Sequence, residues 1–233
     1  MRKSIWAAAL LLCGGLAFAQ GSEQGQKPEE GVGGSSMSGQ AAMEPSQDKE
    51  GQLLEKARSD LQSDPKEAAR SIDKAAAELK KLRTDMRGPA RQELSRASQE
   101  LERLGRDVRS GAVSRPEDAD PTFASAENAL AAYHQARAKE HWEKRDAQKT
   151  GQELEATAHH LELASKHAGL GGKDVAVTTV HDARKLSGDL LEGAGFVPSE
   201  VGKGIDDVGK GIERVGKEIK PRQSAARRAP PTR

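Results

Sequence analysis

Asp64–Met86 reads DPKEAARSIDKAAAELKKLRTDM. Asp64 is a helix-capping residue type, and Pro65 suits the first helical position, where no amide hydrogen is needed. Ala68, Ile72, Ala75, Leu79, Leu82 and Met86 then recur at steps of three and four, with charged residues between them. That is the period of a helix with one buried face. Gly88-Pro89 ends it.

The same pattern extends in both directions. Upstream, Leu53, Leu54, Ala57 and Leu61 mark a first helix. Downstream, Leu94, Ala97, Leu101, Leu104 and Val108 carry a third helix that stops near Gly111. Ser114 to Pro121 reads as a loop. Asp120-Pro121 has the cap-then-proline form of a fourth helix start, with Phe123, Ala126, Leu130, Tyr133 and Ala136 on its face. Asp146 caps a fifth, with Leu154, Ala158, Leu161 and Ala164 inward, and Gly169 to Gly172 closes it. Val177, Val180, Ala183, Leu186 and Leu190 give a sixth, broken by Gly193 to Pro198. Asp64, Ile72, Ala76 and Leu79 match Asp146, Leu154, Ala158 and Leu161 at one constant offset, a weak internal repeat of Asp-capped helical hairpins. The expected fold is all-α: an antiparallel helical bundle, or array of helical hairpins, of about six to seven helices.

The last segment has a different texture. Val201, Ile205, Val208, Ile212, Val215 and Ile219 alternate at spacings of four and three. Gly202, Gly209 and Gly216 flank this seam on one side, and Gly204 and Gly211 on the other. Five helical glycines cost on the order of 5 kcal/mol relative to alanine. Their heptad recurrence therefore points to close backbone approach by another surface: the bundle, a second copy or a membrane. The valines, the isoleucines and Gly202, Gly209 and Gly216 are the candidate partner-binding residues.

The ends have their own signatures. Arg2 and Lys3, the apolar run Ile5–Leu12 and the small-x-small site Ala17-Phe18-Ala19 form a three-part secretory signal, with cleavage expected near Ala19. The 15 residues Ile5–Ala19 would span about 22 Å as a helix, short of roughly 30 Å of hydrocarbon. Cys13 is the only cysteine. A lipoprotein anchored through it is the alternative, although Leu12 is larger than the residue such a site prefers. Without Cys13 the mature chain has no thiol chemistry and no disulfide. The chain thus divides into a signal peptide (1–19), a disordered linker rich in Gly, Ser and Gln (20–49), a helical bundle domain (50–198), the glycine-rich heptad helix (199–219) and a basic disordered tail (220–233).

Composition narrows the function. Removing Arg2 and Lys3 from a chain with 37 Lys and Arg against 36 Asp and Glu leaves a net charge near −1. That argues against a general nucleic-acid or anionic-membrane binder. No Gly-x-Ser-x-Gly elbow or other nucleophile constellation occurs, so no enzyme is expected. Leu, Ile, Val and Phe make up about 15 % of residues 20–233, a thin core for a globular chain. Six histidines are present. His134, His141, His159 and His160 are the candidate metal ligands, because a hairpin turning near Arg145 brings position 134 opposite about 157. There is neither a His-x3-His pair nor a His-Glu-x-x-His motif, so the main reading takes no cofactor and no metal. The sequence therefore reads as a periplasmic or secreted, non-enzymatic interaction or structural protein that binds a protein partner, or itself, through helix faces. The alternatives are a metal or small-ligand binder using the clustered histidines, and a peripheral membrane protein using the C-terminal amphipathic segment.

Overall fold

A computed structural model describes residues 48–193 and 195–226. The signal peptide, Cys13, most of the expected linker and residues 227–233 lie outside the described residues. Seven helices follow one another: α1 (Lys49–Ser63), α2 (Pro65–Asp85), α3 (Gly88–Arg109), α4 (Pro116–Glu143), α5 (Ala147–His167), α6 (Asp174–Leu191) and α7 (Pro198–Ala226). The fold is an all-α bundle in which each helix packs on the next, and α4 also packs on α1 and α7.

The turns are held by the expected chemistry. The Asp64 side chain accepts from the Glu67 amide at 3.0 Å, and Asp146 accepts from the Lys149 amide at 3.0 Å. The two Asp-capped hairpins, α1–α2 and α4–α5, therefore close alike. Gly111, Gly169 and Gly193 follow the ends of α3, α5 and α6 with positive φ, the left-handed conformation that closes a helix without a Cβ clash, and Gly88 and Gly172 take it at the start of α3 and in the turn before α6.

Helix α4 is the shared wall. One apolar cluster joins it to α1, α2 and α3 through Leu61, Ile72, Leu79, Leu101, Phe123 and Leu130. A second joins it to α5, α6 and α7 through Ala124, Ala131, Leu161, Ala183 and Val215. A helix enclosed on both sides must be small-residue-rich nearly all round, and α4 buries Ala119, Ala124, Ala126, Ala129, Ala131 and Ala138. Alanine lets the neighbouring helices come close, so a sequence poor in large aliphatics still excludes water.

Four expectations need correction. Helix α4 begins at Pro116, not after Asp120. Pro116 takes the first helical position, and Pro121 lies inside the helix, five residues further on. Asp120 consequently does not cap; its carboxylate pairs with Arg58 of α1 at 2.7 and 3.2 Å. In α6, Ala183 and Leu190 are buried and Val180 and Leu186 pack on the core as expected, but Val177 is 55 % exposed and Ala176 and Thr179 are buried instead. Helix α7 continues through Ala226, beyond the boundary expected at 219. Asp48 and Lys49, assigned to the linker, are the cap and first residue of α1.

The glycine-flanked seam is occupied from within the chain. Val201, Ile205, Val208, Ile212, Val215 and Ile219 are each at most 3 % exposed. A Cβ at Gly202, Gly209 or Gly216 would lie 3.0–3.5 Å from Trp142, Gln135 or Asn128 of α4. One at Gly204 or Gly211 would lie 3.0 or 2.3 Å from Leu186 or Thr179 of α6. The two glycine rows thus serve two neighbours, and α7 sinks into the groove between α4 and α6. The surface that approaches closely is the bundle itself, which leaves the seam without a free face for a separate partner. Thr179 is inward in α6 because Gly211 makes room for it.

Candidate metal centre

Two residues on α4, Glu127 and His134, lie seven apart, and so do Glu153 and His160 on α5. Seven residues are close to two helical turns, so each pair shares a face. Because α4 and α5 are antiparallel about the Asp146 turn, the pairs meet crosswise. His134 Nδ1 lies 2.7 Å from Glu153 Oε2, and His160 Nδ1 lies 2.6 Å from Glu127 Oε2. The imidazole rings stack at 5.2 Å, 5° from parallel.

With both Nδ1 atoms engaged, both Nε2 atoms point the same way. They converge on one atom, Asp48 Oδ2, each at 2.9 Å. The other Asp48 oxygen, Oδ1, accepts the Gly51 amide hydrogen at 2.7 Å and so caps α1. Gly51 permits this approach: a Cβ there would lie 3.0 Å from Asp48 Oδ1 and 3.1 Å from His160 Cε1.

The constellation is deeply placed. His160 and Glu127 are fully buried, His134 is nearly so, and the Asp48 side chain is 18 % exposed. Burial alone would push the His160 imidazolium down. Its hydrogen bonds to Asp48 and Glu127, and their charges, outweigh that and lift it to about 10. His134 is raised in the same way, with hydrogen bonds to Asp48 and Glu153 overcoming its burial. Burial would raise the Asp48 carboxyl, yet the two imidazoles and the Gly51 amide hold it well below the usual carboxylate range. Both rings therefore carry protons on both nitrogens and donate to carboxylates from each side.

Those two Nε2 atoms and Asp48 Oδ2 lie within 4.8 Å of one another, a two-histidine, one-carboxylate set. Metal-ligating histidines usually give their other ring nitrogen to a carboxylate, which fixes the ring and raises its basicity. Glu127 and Glu153 stand in that place. Bonds of 2.0–2.1 Å in tetrahedral geometry put ligand atoms about 3.3 Å apart, so a cation would need the 2.9 Å contacts to open by about 0.4 Å. Two imidazole nitrogens with one oxygen suit zinc-class cations better than magnesium or calcium.

Of the four candidate histidines, the structure brings His134 and His160 together. His159 meets the His160 ring edge-on at 5.6 Å but joins neither carboxylate pair. His141 stands one heptad from His134, 3.4 Å from Arg137 and 3.8 Å from Glu153. Asp48, Glu127 and Glu153 were not among the expected site residues. The crossed Glu-x6-His spacing on two adjacent antiparallel helices is a signal that would have found both glutamates. Asp48 had none, being 86 and 112 residues from its partners.

Searches of protein-family models, curated proteins and solved structures return no match to this chain. Among the described residues, no helix is long and apolar enough to cross a membrane.

Proposed function

We propose that this chain is an exported, non-enzymatic helical protein that binds one divalent zinc-class cation between Asp48, His134 and His160. One observation carries the reading: two Nε2 atoms converge on a single carboxylate oxygen, while each Nδ1 is held by its own glutamate. Asp48 Oδ2 accepts from both rings, and once the two Nε2 protons leave, the three atoms, all within 4.8 Å of one another, form a two-nitrogen, one-oxygen ligand set. The export signal at residues 1–19 supports a location outside the cytoplasm.

Calorimetric titration of the mature chain with zinc tests this. The expected result is one ion per chain with Kd well below millimolar, weakened at least tenfold by His134→Gln, and no comparable binding of magnesium. Absence of zinc binding up to millimolar concentration, or binding untouched by His134→Gln, refutes it. Association through helix faces, the expectation drawn from the Val/Ile seam, lacks comparable support because that seam is filled by α4 and α6.

A further inference from the structure

We propose that a cation at this site clamps the start of α1 onto the α4–α5 hairpin, so that metal binding and docking of the first turn of α1 form one linked equilibrium. The proposal rests on the zinc-class reading above. His134 and His160 belong to the hairpin; Asp48 alone comes from outside it.

The division of labour within Asp48 makes the link. Oδ1 is fixed to α1 through the Gly51 amide, and Oδ2 is fixed to the hairpin through both imidazoles. A cation bound to Oδ2 therefore pulls on a carboxylate that is also the helix cap. Leu54 sits in the core with Leu53 packed against it at the end of this turn, but the charged contacts at its start are exposed. Lys49 pairs with Glu78 at 2.6 Å, but its side chain is 68 % exposed, and such pairs contribute little. Gly51 and Leu54 are the buried residues in the first six of α1, whereas the far half is secured by Ala57, Leu61 and the Arg58–Asp120 pair. Gly51 lies against His160, so the first turn cannot shift without opening the site.

A ligand that binds only the docked state lowers the population of the undocked state by the factor 1 + [M]/Kd. Hydrogen exchange of the full mature chain, with and without zinc, reads this directly. In metal-free protein the amides at Gly51 to Leu54 should exchange faster than the core amides of α3, through local opening of the turn, and at free zinc a hundred times Kd they should exchange about 100-fold more slowly. Asp48→Asn separates the two roles, because asparagine still caps a helix but is a poorer, uncharged ligand. In that variant the zinc-dependent slowing should disappear.

Calorimetry run in parallel distinguishes the failures. If zinc binds wild-type protein and α1 exchange is unchanged, the clamp is overturned and the zinc reading stands. Protection of Gly51 to Leu54 equal to that of the α3 core before zinc is added also overturns the clamp, because the turn then opens only with the whole fold. If zinc does not bind, both readings fall. The wild-type comparison decides the matter even if Asp48→Asn does not fold.

Discussion

Lowering the pH should release the cation, with a steepness fixed by the proton inventory of the site. A metal needs the lone pair of each Nε2, and in the free protein both atoms hold protons that they donate to Asp48 Oδ2. His160 is lifted to about 10, so it keeps its proton throughout the neutral range. His134 is raised in the same direction by its hydrogen bonds to Asp48 and Glu153. Each zinc bound there should displace more than one proton, and affinity should then rise more than about tenfold per pH unit. For His160 alone, three units between pH 7 and its pKa amount to a competition on the order of 4 kcal/mol. The assay is calorimetry at pH 6.0, 6.5 and 7.0, each in two buffers of different ionisation enthalpy, so that released protons are counted independently of affinity. Zinc binding of equal strength across that range, with no proton release, would refute the assignment of both Nε2 atoms as ligands.

Three further outcomes follow from the same contacts. Glu127→Ala leaves the buried His160 Nδ1–H without its acceptor while Asp48 still holds Nε2, and should cost about 1–3 kcal/mol in urea unfolding; a loss below about 0.5 kcal/mol would contradict the buried pair. In metal-free protein, the stability contributed by His160 is complete below its unfolded value of 6.5 and is lost as pH climbs toward about 10, so denaturation midpoints should fall from pH 7 to 9.5. Asp48 works in the opposite sense: its contribution is present above 3.8 and is lost as pH falls below that. Gly211→Ala places a Cβ 2.3 Å from Thr179 Oγ1 and should destabilise by about 1–3 kcal/mol. Gly188→Ala in α6 meets nothing within 4 Å and should stabilise by about 0.5–1 kcal/mol, so thermal melts of the pair should move in opposite directions.

Much of the bundle was legible because helices are specified locally. Asp64 and Asp146 cap their own third residues, and Ile72, Leu79, Leu101 and Leu161 fall inward as their spacing requires. Pro121 misled for an equally physical reason. A proline near a helix start resembles a proline at the start, and only the earlier Pro116 separates the two. At the start of α6 only Val177 was misplaced, because it is more apolar than Ala176 and Thr179. The contact with Gly211 selected the smaller Thr179.

By itself, then, the chain determined about six to seven amphipathic segments, most of their turns, and a glycine-flanked seam demanding close approach. All of these depend on residues within a few positions of one another. Tertiary structure alone decided what fills that seam, because α4 and α6 were only two of several surfaces the glycines would admit. It also decided the candidate site. Pairing Glu127 with His160 and Glu153 with His134 requires the register of the α4–α5 hairpin. Asp48 completes the set only when the far end of the first hairpin folds back over a helix 86 residues away. Local periodicity records which face of a helix turns inward, but not which distant carboxylate will be waiting there.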